Sequence, residues 1–164
     1  MAPFKLDPAQ GAVLLTIQNG SQKIGPFALL LAASMPRLFT IGGTQQVVAM
    51  NQDGSVNSSS NPAAAGSVIS VFLSGAGVFD LPLNDGQLGP LIPPFPIPAA
   101  GPVKVTVGDS RADVLFVAQA PGQVAGLVQV NLRVPARTPA GKTRIFLSLG
   151  DHTYTAGPTF IEVR

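Results

Sequence analysis

An all-β fold, a β-sandwich preceded by an additional hairpin, is what this sequence predicts, and three observations predict it. The stretch VQVNLRV alternates without a break: Val128, Val130, Leu132 and Val134 fall on one side of an extended chain, Gln129, Asn131 and Arg133 on the other. That is the period-two signature of a half-buried strand. The 18 glycines and 16 prolines among 164 residues interrupt the chain too often for long helices. Lastly, the chain repeats its own ending. AVLLTIQNGSQKIGPFALLLA, residues 12 to 32, laid over the last stretch at an offset of about 132 brings Val13, Leu15 and Ile17 onto Ile145, Leu147 and Leu149. The same offset brings Gly25-Pro26 onto Gly157-Pro158, and Leu29 and Leu31 onto Ile161 and Val163.

Apolar alternation bounded by Gly, Pro, Asn and Asp predicts strands over residues 12–18, 26–33, 45–50, 67–74, 103–108, 113–119, 128–134, 143–149 and 158–163. Asn19-Gly20 and Asp53-Gly54 are expected to supply the positive φ of tight turns, and Gly108-Asp109 a further reversal. Residues 80–102, DLPLNDGQLGPLIPPFPIPAAGP, form the one long segment without a strand pattern, since their prolines remove donors that a central strand needs. Pro90, Pro93 and Pro96 are spaced as in a polyproline II ligand. The preferred reading is a stiff surface connection whose Leu91, Ile92, Phe95 and Ile97 cover apolar surface, with a subunit contact as a further use.

Composition excludes several functions. Charged residues are 11% of the chain, against about 25% in ordinary domains. The net charge of +2 comes from ten scattered cations with no basic run, which argues against a nucleic-acid partner. The absence of cysteine removes thiolate chemistry and Cys-ligated zinc together. The longest apolar run, FALLLAA, is bracketed by Gly25-Pro26, Ser34 and Pro36, too short to span a bilayer. MAPFKLDPAQ has none of the layout of a signal peptide, so a leader is expected to have been removed or the chain to be a segment of something longer.

Catalysis needs convergent titratable groups, and the inventory is one His, one Glu, seven Asp and one Tyr. His152 sits in the turn GDHTYT and reads as an exposed hairpin residue. SGAG at 74–77 is not a nucleophile elbow, because its serine precedes the glycines at a strand end. Asp80 and Asp85 lie in the long loop without evident support for paired-carboxylate chemistry. In NQDGSVN, Asn51, Asp53 and Asn57 are candidate oxygen ligands for calcium, but the stretch lacks the spacing and the closing Glu of a calcium loop. No enzyme, metal or cofactor is therefore expected. The scarcity of aromatic residues, with no Trp and Tyr154 the only Tyr, counts against stacking on sugars, although a glycan or peptide ligand stays as the alternative.

Three stretches carry a resemblance: MPRLFTIGG (35–43), VVAMNQDGSVNSSSNPAAAGSVISVFLSGAGVFD (47–80) and PVKVTVGDSRADVLFVAQAPGQVAGLVQVNLRVPARTPAG (102–141). Together they resemble a family of uncharacterised domains at the C-termini of secreted proteins in soil bacteria of the Solibacter type. The motifs NQDGSVN, NPA..G and APG.V.GL.QVN..VP carry most of the likeness. The resemblance implies an immunoglobulin-like β-sandwich akin to TIG or IPT modules, an extracellular or cell-surface location, and no particular chemistry. The chain departs from the pattern at Gly108-Asp109, where Gly-Gly is usual, and in the length of its proline segment.

On this resemblance, residues 1–34 look like the last strands of a preceding module and residues 35–164 like one complete copy. Val13, Leu15, Ile17, Phe27, Leu29, Leu30 and Leu31 would then expose apolar side chains unless something covers them. The expectation is a structural module that self-associates into a homo-oligomer or filament, or pairs with neighbouring modules. Phe27, Leu29, Leu30 and Leu31 of the hairpin, with Leu91, Ile92 and Phe95 of the loop, are the expected association residues.

Overall fold

The alternation that singles out residues 128–134 builds the centre of the molecule. In a computed structural model that describes residues 6–153 and 158–164, and only the backbone of Pro8, His152 and Thr153, the chain is all-β with no α-helix among the described residues. Eleven strands occur in it: β1 (Ala12–Asn19), β2 (Gln22–Leu30), β3 (Arg37–Leu38), β4 (Ala49–Met50), β5 (Val68–Ser74), β6 (Val103–Val107), β7 (Ser110–Gln119), β8 (Val128–Arg133), β9 (Gly141–Leu149), β10 (His152–Thr153) and β11 (Thr159–Val163).

β8 lies between β5 and β7, both antiparallel to it. Its inward residues Val128, Val130 and Leu132 oppose Leu73, Val71 and Ile69, and all six are buried. Each such side chain, fully withdrawn from water, stabilises by about 1.5–3 kcal/mol. The outward positions are polar, and Gln129 donates to Asn131 along that face at 2.9 Å.

β7 serves two neighbours. Its first residues pair with β6, and from Asp113 onward it pairs with β8, with an irregularity between Val114 and Phe116. A bulge of this kind bends the strand and increases its twist, so one strand can turn the corner of a curved sheet. β6 continues to β9, and β9 to β11.

The sheet then nearly closes on itself as a barrel. Beyond β11, backbone bonds run from Val47 N–H to the Phe160 carbonyl at 2.8 Å and from Phe160 N–H to the Gln45 carbonyl at 2.9 Å, while residues 45–47 lead into β4, which pairs with β5. Further along the same edge, Ala63 N–H reaches the Glu162 carbonyl at 2.9 Å and Arg164 N–H reaches Ala63 at 2.8 Å. Between these two contacts the chain 48–62 loops away, and the side chain of Asn57 fills the gap. Its amide nitrogen donates to the Glu162 carbonyl at 2.8 Å, and its oxygen accepts from Glu162 N–H at 2.8 Å. A buried side-chain amide thus does the work of a missing strand residue.

Three hairpins share one turn. Gly20-Ser21, Gly108-Asp109 and Gly150-Asp151 each separate directly paired residues, and each glycine has φ of 56 to 60° while no non-glycine residue is at positive φ among the described residues. Glycine at the first of two turn positions matches the twist of the flanking strands. The turn expected at Asn19-Gly20 is therefore displaced by one, with Asn19 paired to Gln22. The strand expected at 26–33 accordingly begins at Gln22 and ends at Leu30, and β7 begins at Ser110 rather than 113. The expected strand 45–50 is reduced to β4 and the bonds at 45–47.

Candidate association surface

β1 and β2 form a two-stranded sheet of their own, outside the barrel. Val13 opposes Leu29 and Leu15 opposes Phe27; past a bulge on β2, Ile17 opposes Ile24. Residues directly opposite share a face, so Val13, Leu15, Ile17, Ile24, Phe27 and Leu29 form one apolar face without a charge. Val13 is half-buried, and the other five are 41 to 57% exposed. On the reverse face Leu14 and Leu30 stand beside Ala28 and Ala12, which are too small to cover them, and Leu30 is 86% exposed. The four expected association residues are thereby divided: Phe27 and Leu29 share one face, Leu30 lies on the other, and Leu31 is half-buried, its N–H bonded to the Gly11 carbonyl at 2.9 Å.

The counterpart hairpin inside the barrel carries a similar set of apolar positions. Aligning the two on their glycine turns places Leu15 at Ile145, Ile17 at Leu147 and Val13 at Thr143. In β2, Leu29 opposes Val13 as Ile161 opposes Thr143, and Leu31 meets Gly11 as Val163 meets Gly141. The single offset of 132 is thus corrected. It holds for the second strand, whereas the first strand is offset by 130, because the later hairpin carries two more residues between its turn and Gly-Pro. Ile145, Leu147, Ile161 and Val163 are all 6% exposed or less. The same pattern of side chains forms core in one hairpin and surface in the other.

The link between hairpin and barrel is a close backbone contact. Met35 N–H donates to the Gly75 carbonyl at 2.7 Å. A Cβ on Gly75 would lie 2.1 Å from the Met35 carbonyl oxygen, and one on Gly77 would lie 2.1 Å from that of Ala33. With φ of 75 and 76°, both positions suit glycine on conformational grounds as well. The glycines of SGAG therefore seat residues 33–36 against the end of β5. Ser34 is buried there, its hydroxyl without a protein partner.

The segment 80–102 is tied down along its length. Asp80 accepts from Leu81 N–H at 2.8 Å and Ile97 N–H at 2.7 Å through one carboxylate oxygen. Gln119, fully buried, donates to the carbonyls of Val124 and Gln123 at 2.9 and 3.2 Å and accepts from Gly126 N–H at 2.9 Å. This knots the turn after β7, on which Gly89 lies so closely that a Cβ would meet Gln119 Cγ at 2.7 Å. Phe95 is half-buried and meets Phe116 edge-on, ring centroids 5.8 Å apart. Leu91 and Ile92 do not cover apolar surface as expected, because both project into solvent. Nothing in the sequence pattern distinguishes Gln119 from its exposed polar neighbours, since its role depends on a turn that closes around it.

The candidate calcium ligands are engaged by protein donors. Asn51 accepts from Asn57 at 3.0 Å, Asn57 from Gln46 at 2.9 Å as well as from Glu162, and Asp53 from the N–H and hydroxyl of Ser55 at 2.9 and 2.7 Å. The Ser55 bonds hold the exposed Asp53 carboxyl below its ordinary pKa. Among the described residues no three His, Cys, Asp or Glu side chains gather as a metal site. The side chain of His152 and all of Tyr154 lie outside the described residues.

Among the surface grooves, one of about 490 Å³ lies between residues 36–40 and the β9 and β11 residues Phe146 and Thr159. No described helix is long and apolar enough to cross a membrane. Compared with family models, curated proteins and solved structures, the chain matches none.

Proposed function

We propose that this chain is a non-enzymatic, extracellular structural module that self-associates through the apolar face of its β1–β2 hairpin. Its nearly closed barrel-like body is read as an immunoglobulin-like sandwich of the kind that the Solibacter-type resemblance implies. One observation carries the reading: side chains that form core in β9–β11 recur half-exposed on β1–β2. Burying such a face is favourable by about 1.5–3 kcal/mol for each large aliphatic side chain withdrawn from water, so the hairpin draws a partner. Sedimentation velocity and electron microscopy of the purified chain test it. Particles larger than the 16.8 kDa monomer are expected. Leu29→Asp should return them to monomers, and a wild-type chain that stays monomeric at all concentrations removes the proposal.

A further inference from the structure

We infer that the occupant of the β1–β2 face is the same face of a second copy, so that two hairpins stack as a two-layer sandwich and assembly closes at two. This rests on the self-association reading and narrows it. In the barrel, the equivalent face of β9–β11 is packed into the cluster of buried apolar residues. A second copy has no vacant seat of that kind, because its own β9–β11 fills it. Its own hairpin face is an uncovered apolar surface of matching size, with Leu15, Ile17, Ile24, Phe27 and Leu29 half-exposed and no charge to repel its mate.

Five half-exposed side chains of this size present on the order of 500 Å² of apolar surface per copy. A pair would bury about 1,000 Å², the lower bound for a specific interface. Two antiparallel hairpins face to face at about 10 Å interdigitate their side chains as packed sheets do. A patch that meets its own copy is isologous, so the contact saturates in a two-fold dimer instead of propagating. Leu14 and Leu30, on the reverse side, take no part.

The test uses the full chain, whose lack of cysteine makes single-site cross-linking clean. Sedimentation equilibrium should give a reversible monomer–dimer equilibrium that stops at two, shifted at least tenfold toward monomer by Leu15→Asp. Single variants Leu15→Cys and Leu29→Cys should join two chains through a bis-maleimide of about 10 Å reach, the spacing of packed sheets. Leu14→Cys and Leu30→Cys should not. Cross-linking through Leu14→Cys or Leu30→Cys instead overturns the stated face. Particles that grow past two overturn the closed dimer while self-association stands. A monomer throughout overturns both and leaves a foreign β-surface as the cover.

Discussion

The amide of Asn57 bonds both the N–H and the carbonyl of Glu162, 105 residues away, each at 2.8 Å. It is fully buried and closes the gap between residues 45–47 and 63 on the free edge of β11. Asn57→Ala would take the partner from Glu162 N–H, while the Glu162 carbonyl keeps Ala63 N–H, at a cost of about 1–3 kcal/mol. Asn57→Asp should be worse, because it turns an oxygen toward the Glu162 carbonyl and introduces a buried charge. Urea midpoints of the two variants check the order.

Gly75 should be intolerant in a way that Gly54 is not. Alanine at Gly75 meets a carbonyl oxygen and a left-handed φ together, so a loss of about 1–3 kcal/mol is expected, with residues 33–36 lifted from β5. Alanine at Gly54, also at positive φ but with open space around it, should cost only about 1 kcal/mol. Thermal unfolding gives the two values, and hydrogen exchange at the Met35 amide reports whether the link has come free.

Gln119→Leu fits the space but abandons its acceptor and donor roles. Gly126 N–H then loses its partner, and a destabilisation of about 1–3 kcal/mol should follow. Faster exchange should appear in residues 87–89 and 119–126, which share this knot, and not in β9. Uniform loosening of the whole barrel would contradict the local role.

Acidification should be felt at Asp53. Its folded-state pKa lies below the ordinary value because Ser55 donates two hydrogen bonds to the carboxylate. The stabilisation is present above about pH 4 and is lost as pH falls through the lowered pKa. Ser55→Ala should bring the Asp53 titration, followed by carboxyl NMR, back toward ordinary values. An unmoved midpoint would show that the hydrogen bonds are not the cause.

The strands that read most plainly from the sequence are those whose two faces differ in polarity, as in β8, where Val128, Val130 and Leu132 are all buried. The internal repeat is legible too, yet a single offset of 132 misplaces its first strand by two residues. A two-residue slip returns every side chain to the same face, so alternation alone cannot detect it, and only the paired glycine turns fix the register. The edge-closing role of Asn57 is hidden for another reason. The residue stands at the head of a polar tract that reads as a connection, and its burial depends on a strand a hundred residues later. In the association surface, the sequence identifies the apolar residues of the hairpin, but the bulge on β2 decides which of them stand together.

Because β11 bonds to residues 45–47 and 63–65 across more than ninety positions of chain, the early part of the barrel has no native neighbour on that edge until the final strand has been synthesised. Joining ends so far apart is slow, and the contacts that reward it come late. Folding should therefore be gated by arrival of the last segment, with residues 45–65 among the last to gain protection from exchange during refolding.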